Sequence, residues 1–307
     1  MKIVYLGTPD FAVKPLEAIV KSKHEVLAVV TQPDKPVGRK AIITPCDVKV
    51  KAQEFNLKTL SYDKIKLQGV NDLKALNPDI MVTCAFGQIL SQEILDVAKY
   101  GVINIHASLL PKYRGSAPIQ YAVINGEEKT GVTIMQTELG VDTGDIIMQK
   151  SIDILPDETA GELFDRLSDL GAEIIVSALD SIENGSAKKI KQNHDLATHV
   201  KMISKKDGVI DFAKTALEVK NFVRGMNPWP VAYTYFEDKM LKIYSVELCN
   251  LSGNAGEVIS SSGEIIVGCG ENSVKLLTVQ LEGGKKMTAE EFLRGHKITK
   301  GYTFKCL

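Results

Sequence analysis

Asn104 and His106 stand two residues apart in the run 101–115, GVINIHASLLPKYRG. A carboxamide N–H can meet a developing oxyanion, and an imidazole can donate, take or share a proton. Side by side they suit attack on a carbonyl. A carboxylate, Asp142, follows in the run 130–146, TGVTIMQTELGVDTGDI. Near His106 it would favour the imidazolium and fix the ring's tautomer and orientation. Taken singly, none of the three is a strong signal, because a lone histidine at a strand end is more often a satisfied structural residue.

The elements around these residues give them a common place. Val102, Ile103 and Ile105 are β-branched, and the run is bounded by Gly101 and Pro111, which predicts a strand. A central parallel strand should be apolar almost throughout, yet Asn104 and His106 are polar and sit at its carboxyl end. With a period of two, both leave the same side. The carboxyl edge of an open α/β sheet is where ligands bind. Residues 130–137 predict a further strand, with Asp142 in the glycine-containing loop after it.

Asn104-x-His106, Ser108-Leu109-Leu110-Pro111 and the GVDTGD run around Asp142 together resemble the core of the folate-dependent formyltransferases. That resemblance implies a catalytic set of Asn104, His106 and Asp142. It also implies that Ser108, Leu109, Leu110 and Pro111 line a site for the co-substrate 10-formyltetrahydrofolate. In the same family the loop corresponding to Phe86-Gly87-Gln88 presents backbone to the pterin ring.

The rest of the chain places these motifs. Strands are expected at 2–6, 24–31, 58–60, 79–85 and 146–154. Helices are expected near 10–19, 46–55, 72–76 and 118–124, and over 159–183, where Leu163, Phe164, Leu167, Leu170, Ile174 and Leu179 form an apolar stripe. The alternation predicts a doubly wound, mostly parallel sheet, a Rossmann-like α/β fold. Gly7 stands alone, without the G-x-G-x-x-G of dinucleotide binding, so a nicotinamide cofactor is not expected. Residues 32–40, QPDKPVGRK, show no apolar period and predict a surface loop whose Lys35, Arg39 and Lys40 could meet phosphates. This run resembles the insertion of methionyl-tRNA formyltransferases that reaches the tRNA acceptor stem, although Ala41-Ile42-Ile43 stand where that family often carries further basic residues. Arg114 reads either as an anion contact or as a surface charge.

At 307 residues the chain can build one large or two ordinary cores. Its 44% hydrophobic and 24% charged residues are those of an ordinary globular protein. No apolar run approaches membrane-helix length, and no signal peptide is expected because Met1 leads directly into a strand. Five scattered cysteines without a C-x-x-C predict reduced thiols in a cytoplasm, and the histidine spacing predicts no metal. The net charge of −1 conceals an asymmetry. Residues 1–187 carry 19 Lys/Arg against 25 Asp/Glu, residues 188–206 carry 6 against 1, and the remainder is balanced. The basic stretch could face a polyanion, although a solvated connector explains it as well.

Beyond Asp207 the texture changes to five short strands with tight turns, at 232–236, 240–246, 256–260, 265–268 and 273–280, which predict a small barrel. Ile210-Asp211-Phe212 and Asn227-Pro228-Trp229-Pro230 resemble landmarks of the OB-like carboxyl-terminal domain of the methionyl-tRNA formyltransferases. Trp229 is expected to pack rather than to stack on a base. The resemblance covers essentially the whole chain and implies a catalytic domain at 1–187, a basic linker at 188–207 and a tRNA-binding domain at 208–307. The partners it implies are initiator methionyl-tRNA and the folate co-substrate; separately, no membrane partner and a monomer are expected.

Overall fold

The computed structural model describes residues 1–38 and 40–305; the expectations placed on Arg39 and Cys306 lie outside the described residues. Two compact units form. The first comprises residues 1–115, 130–152 and 164–199, the second 116–129, 153–163 and 200–307.

The first unit is built on a seven-stranded sheet. Its order is Thr59–Ser61, Glu25–Thr31, Lys2–Gly7, Ile80–Cys84, Val102–His106, Lys129–Gln136 and Ile146–Asp153. The first five run parallel, and Lys129–Gln136 pairs antiparallel with Val102–His106. The parallel strands are the continuous apolar runs of the sequence, and Ile3, Val4, Tyr5, Leu6, Met81 and Val82 are wholly buried. Strands buried on both faces need no polar alternation. From Lys2–Gly7 the chain builds first to one side and then to the other, so the strand order reverses between Lys2–Gly7 and Ile80–Cys84. In open α/β sheets such a reversal is where ligands bind, at the carboxyl ends, and here it lies one strand away from the strand that carries Asn104 and His106. The helix Ala160–Glu183 buries Leu167, Leu170, Ile174 and Leu179 as its stripe predicts. Its start is fixed reciprocally: Glu162 N–H donates to Thr159 Oγ1, and Thr159 N–H donates to Glu162 Oε2.

The structure corrects one expectation. The stretch after Thr31 is not wholly irregular, because Lys35–Val37 and Ile42–Thr44 pair as an antiparallel hairpin. Ile42, Ile43 and Thr44 are β-branched and pair readily as an edge ribbon. Ile42 and Ile43 remain more than 60% exposed.

In the second unit all five expected strands are present. They form an antiparallel half-barrel in the order Ala232–Phe236, Lys239–Cys249, Ser273–Leu281, Ile265–Gly268, Val258–Ser260, with Met287–Thr288 added to Ser273–Leu281. Phe212, Phe236, Phe292 and Phe304 fill its core, with ring pairs at 5.8 Å (Phe236–Phe292) and 6.2 Å (Phe212–Phe304). Helices Ala216–Gly225 and Ala289–Gly295 were not expected, although Thr215-x-x-Glu218 and Thr288-x-x-Glu291 are both capping boxes visible in sequence. Trp229 keeps half of its surface exposed.

Candidate active site

Asn104 and His106 end the strand Val102–His106, with Thr83 opposite Asn104 on one side and Thr133 opposite His106 on the other. The Thr83 hydroxyl donates to Asn104 Oδ1 at 2.9 Å, with a longer approach of 3.2 Å to Ile103 O. Occupying the amide oxygen in this way leaves the amide N–H groups as the end available to a ligand.

His106 is almost fully buried. Its Nε2 lies 2.9 Å from Tyr113 O, and its Nδ1 lies 3.6 Å from Asp142 Oδ2. The first is a hydrogen bond; the second is too long to be one. Nδ1 thus faces the carboxylate without being committed to it. Asp142 is held from two directions. Gly115 N–H donates to its Oδ2 at 2.8 Å, and Gln192 Nε2 donates to its backbone carbonyl at 2.9 Å. The structure therefore brings His106 and Asp142 together and places Asn104 two residues away on the same strand end.

Ser108, Leu109, Leu110 and Pro111 follow directly, and here the roles divide. The Ser108 hydroxyl is consumed internally, donating to Lys112 O at 2.6 Å. Thr133 Oγ1 donates to Ser108 O at 2.6 Å and accepts from Leu110 N–H at 3.2 Å. Gln149 Nε2 donates to Leu110 O at 2.9 Å and to Thr133 Oγ1 at 2.8 Å. Ser108 and Leu110 are buried, while Leu109 and Pro111 keep partial exposure. Beyond Cys84, Phe86 O accepts from Thr8 Oγ1 at 3.2 Å and from Gln32 Nε2 at 3.0 Å. Gln88 bridges Ile65 N–H and Tyr62 O at 2.9 and 2.7 Å. Burial pushes the Cys84 thiol, at the end of its strand, up to about 12.

Lys35 and Lys40 are exposed on the hairpin, and Lys35 Nζ donates to Gln32 Oε1 at 2.7 Å. Arg114 is neither an exposed anion contact nor a surface charge. It is buried, and its Nε and Nη2 donate to Gln192 Oε1 at 3.1 and 2.7 Å. The residues sequence reasoning missed are Thr83, Thr133, Gln149 and Gln192. Thr83 had a usable signal, being the polar residue in an otherwise apolar strand; Gln192, set among lysines, had none.

Comparison with known proteins gives the class first. The Formyl transferase family model matches residues 1–179, and the Formyl transferase, C-terminal domain model matches residues 202–297. A solved N-formyltransferase from Helicobacter canadensis shares the fold, with a TM-score of 0.70 at 21% identity over 94% of this chain and 100% of that one. Closer in sequence are the methionyl-tRNA formyltransferases of Citrifermentans bemidjiense, 44% identical over 98% of this chain and 95% of that one, and of Geobacter metallireducens, 45% identical over 98% and 97%. The chain belongs to the methionyl-tRNA formyltransferase family.

Proposed function

We propose that this protein transfers the formyl group of 10-formyltetrahydrofolate to the α-amino group of methionine on initiator tRNA, giving N-formylmethionyl-tRNA for translation initiation. The observation that carries this reading is the Asn104 carboxamide with its oxygen taken by Thr83, on the same strand end as a histidine facing Asp142 across 3.6 Å.

The amine attacks the formyl carbonyl, and negative charge develops on that oxygen. Asn104 Nδ2 is the amide end that can meet it. Such a donor typically contributes about 3–4 kcal/mol to the transition state. Both ring nitrogens of His106 face oxygen acceptors, so a doubly protonated ring satisfies both directions and a neutral one satisfies only one. In that form both N–H groups point at Tyr113 O and Asp142, and it is the ring's positive charge, not an N–H, that favours the oxyanion beside Asn104. Asp142 then takes the amine proton, directly or through a water, and returns it to the folate N10 as the C–N10 bond breaks and the intermediate collapses. Asp142 also keeps the ring oriented.

Residues 108–111 bound the folate site in this reading, with Leu109 and Pro111 offering side-chain surface and Ser108 and Leu110 setting the loop's shape. Lys35, Arg39 and Lys40 contact tRNA phosphates. Residues 1–187 carry the chemistry, residues 188–207 link, and residues 208–307 bind tRNA. An enzyme working on tRNA acts in the cytoplasm in this reading; no helix among the described residues is long and apolar enough to cross a membrane.

The test is transfer of labelled formyl from 10-formyltetrahydrofolate to methionyl-tRNA, run beside an amino-sugar nucleotide as competing acceptor. Transfer to the tRNA alone is expected. Transfer to the sugar amine alone would replace the proposed acceptor and leave the formyl chemistry standing.

A further inference from the structure

Gln192 lies between exposed Lys191 and Asn193, yet only 5% of its surface is accessible. A buried carboxamide must find partners for both ends. Nε2 donates to Asp142 O at 2.9 Å and to Gly144 O at 2.7 Å, and Oε1 accepts twice from Arg114. A guanidinium only donates, so Arg114 determines which end of the amide is oxygen and thereby aims its NH2 group at the two carbonyls. Arg114 is itself buried, with Nη2 3.1 Å from His194 Nδ1. The residue so held has unusual backbone: Asp142 is at φ 51°, the left-handed region that a non-glycine residue keeps only when its surroundings impose it.

We propose that Gln192 is a positioning residue for the transfer reaction. Its carboxamide, oriented by Arg114, holds the Asp142 turn in the conformation that presents the carboxylate to His106. The inference rests on the catalytic reading of Asp142.

Two substitutions separate these interactions. Gln192→Glu keeps an acceptor for Arg114 but sets an oxygen against the two carbonyls, and Gln192→Met keeps the length with no hydrogen bonds. For each, kcat should fall by about 10–10²-fold, the cost of a misplaced group. KM for the formyl donor and for methionyl-tRNA should stay within about twofold, since uniform binding is untouched. Asp142→Asn, alone and combined with each change, completes the test. Once the carboxylate is gone, losing Gln192 should cost nothing further, a coupling that a merely structural residue would not give. Full turnover in a folded Gln192 variant, additive losses in the cycle, or failure of both variants to fold would each overturn the proposal; if only one folds, that one decides. Wild-type turnover in Asp142→Asn would instead remove the catalytic reading itself.

Discussion

At the scale of single residues, the site depends on which end of each polar side chain is free. Asn104→Ala removes the amide that meets the oxyanion and should lower kcat by about 10²–10³-fold with KM little changed; single-turnover kinetics would show whether the loss lies in the chemical step. Thr83→Val, nearly isosteric, leaves Asn104 in place but frees its oxygen, so the amide can turn over. A smaller fall in kcat, again without a rise in KM, is expected. Equal turnover in the Thr83 variant would mean that packing alone orients the amide. The thiols give an independent check on burial, at Cys84 beside the site and elsewhere. Burial raises Cys84 to about 12 and Cys269 to about 11, whereas Cys46 is partly accessible. Alkylation proceeds through the thiolate, so iodoacetamide near pH 8 should mark Cys46 in the native protein and spare Cys84 and Cys269 until unfolding. At this scale Asn104 and His106 were legible as polar residues at the end of an apolar strand, whereas Asp142, in a loop, stood out only through the resemblance of its GVDTGD run. Their supports were not legible. Thr133 and Gln149 reach the 108–111 loop from other strands, through pairings no local pattern contains.

At the scale of elements, close packing restricts what the site-bearing strands tolerate. A Cβ on Gly131 would run first into the backbone carbonyl of Lys150 on the neighbouring strand, and would lie 2.6 Å from Leu109 Cδ2. Gly131→Val must therefore push the neighbouring strand aside and displace Leu109 with it. Overpacking of this kind costs roughly 1–3 kcal/mol, and the displaced loop should raise KM for the formyl donor more than KM for tRNA. A melting curve with steady-state kinetics for both substrates checks it, and an unchanged donor KM would separate Leu109 from the folate site. A second prediction concerns the start of Glu25–Thr31. His24 is buried, its Nε2 3.3 Å from Asp180 Oδ1, while Lys23 Nζ sits 3.0 Å from both Asp180 and Glu183. Burial holds the His24 imidazolium below its ordinary range, with nearby positive charge acting the same way. The unfolded chain then binds the proton more readily than the native one. This contribution to stability is present above about pH 6.5 and is lost as pH falls from there toward the lower native value. Denaturant midpoints for His24→Gln should decline less than those of the parent over that interval. Elements were legible where the apolar signal was strong, continuous in the parallel strands and periodic in the long helix. The hairpin and the two capped helices were not, because short elements carry little periodicity and a capping box marks only where a helix could begin.

At the scale of the whole molecule, the question is what binds a polyanion when the net charge is only −1. Lys188, Lys189, Lys191, Lys201, Lys205 and Lys206 are all exposed, and between them the chain is anchored by buried Gln192. Deleting residues 208–307 would be a poor way to ask whether this region serves tRNA. Residues 116–129 and 153–163 belong to the same unit as the half-barrel. Helix Pro118–Ile124 packs so closely on Ala216–Gly225 that a Cβ at Gly225 would lie 2.5 Å from Ile124 Cγ1, and Arg224 donates to Leu155 O and Glu158 O. Removing the carboxyl-terminal part would strip the cover from Ala117, Tyr121 and Ile124 and take Arg224 away from the Leu155 and Glu158 carbonyls. The truncated chain should aggregate, losing tRNA binding for a reason unrelated to tRNA. Point changes avoid this. Lys→Gln at all six positions removes charge without uncovering apolar surface, and every phosphate interaction abolished in this way should flatten the slope of log affinity against log salt by about 0.7–0.9. Binding isotherms for methionyl-tRNA between about 50 and 200 mM salt would measure it, a range over which binding through several phosphates weakens steeply. Turnover at saturating tRNA should persist, because none of the six lysines touches Asn104, His106 or Asp142. A slope identical to that of the parent would assign the connector to anchoring alone and leave tRNA binding to the hairpin and the half-barrel.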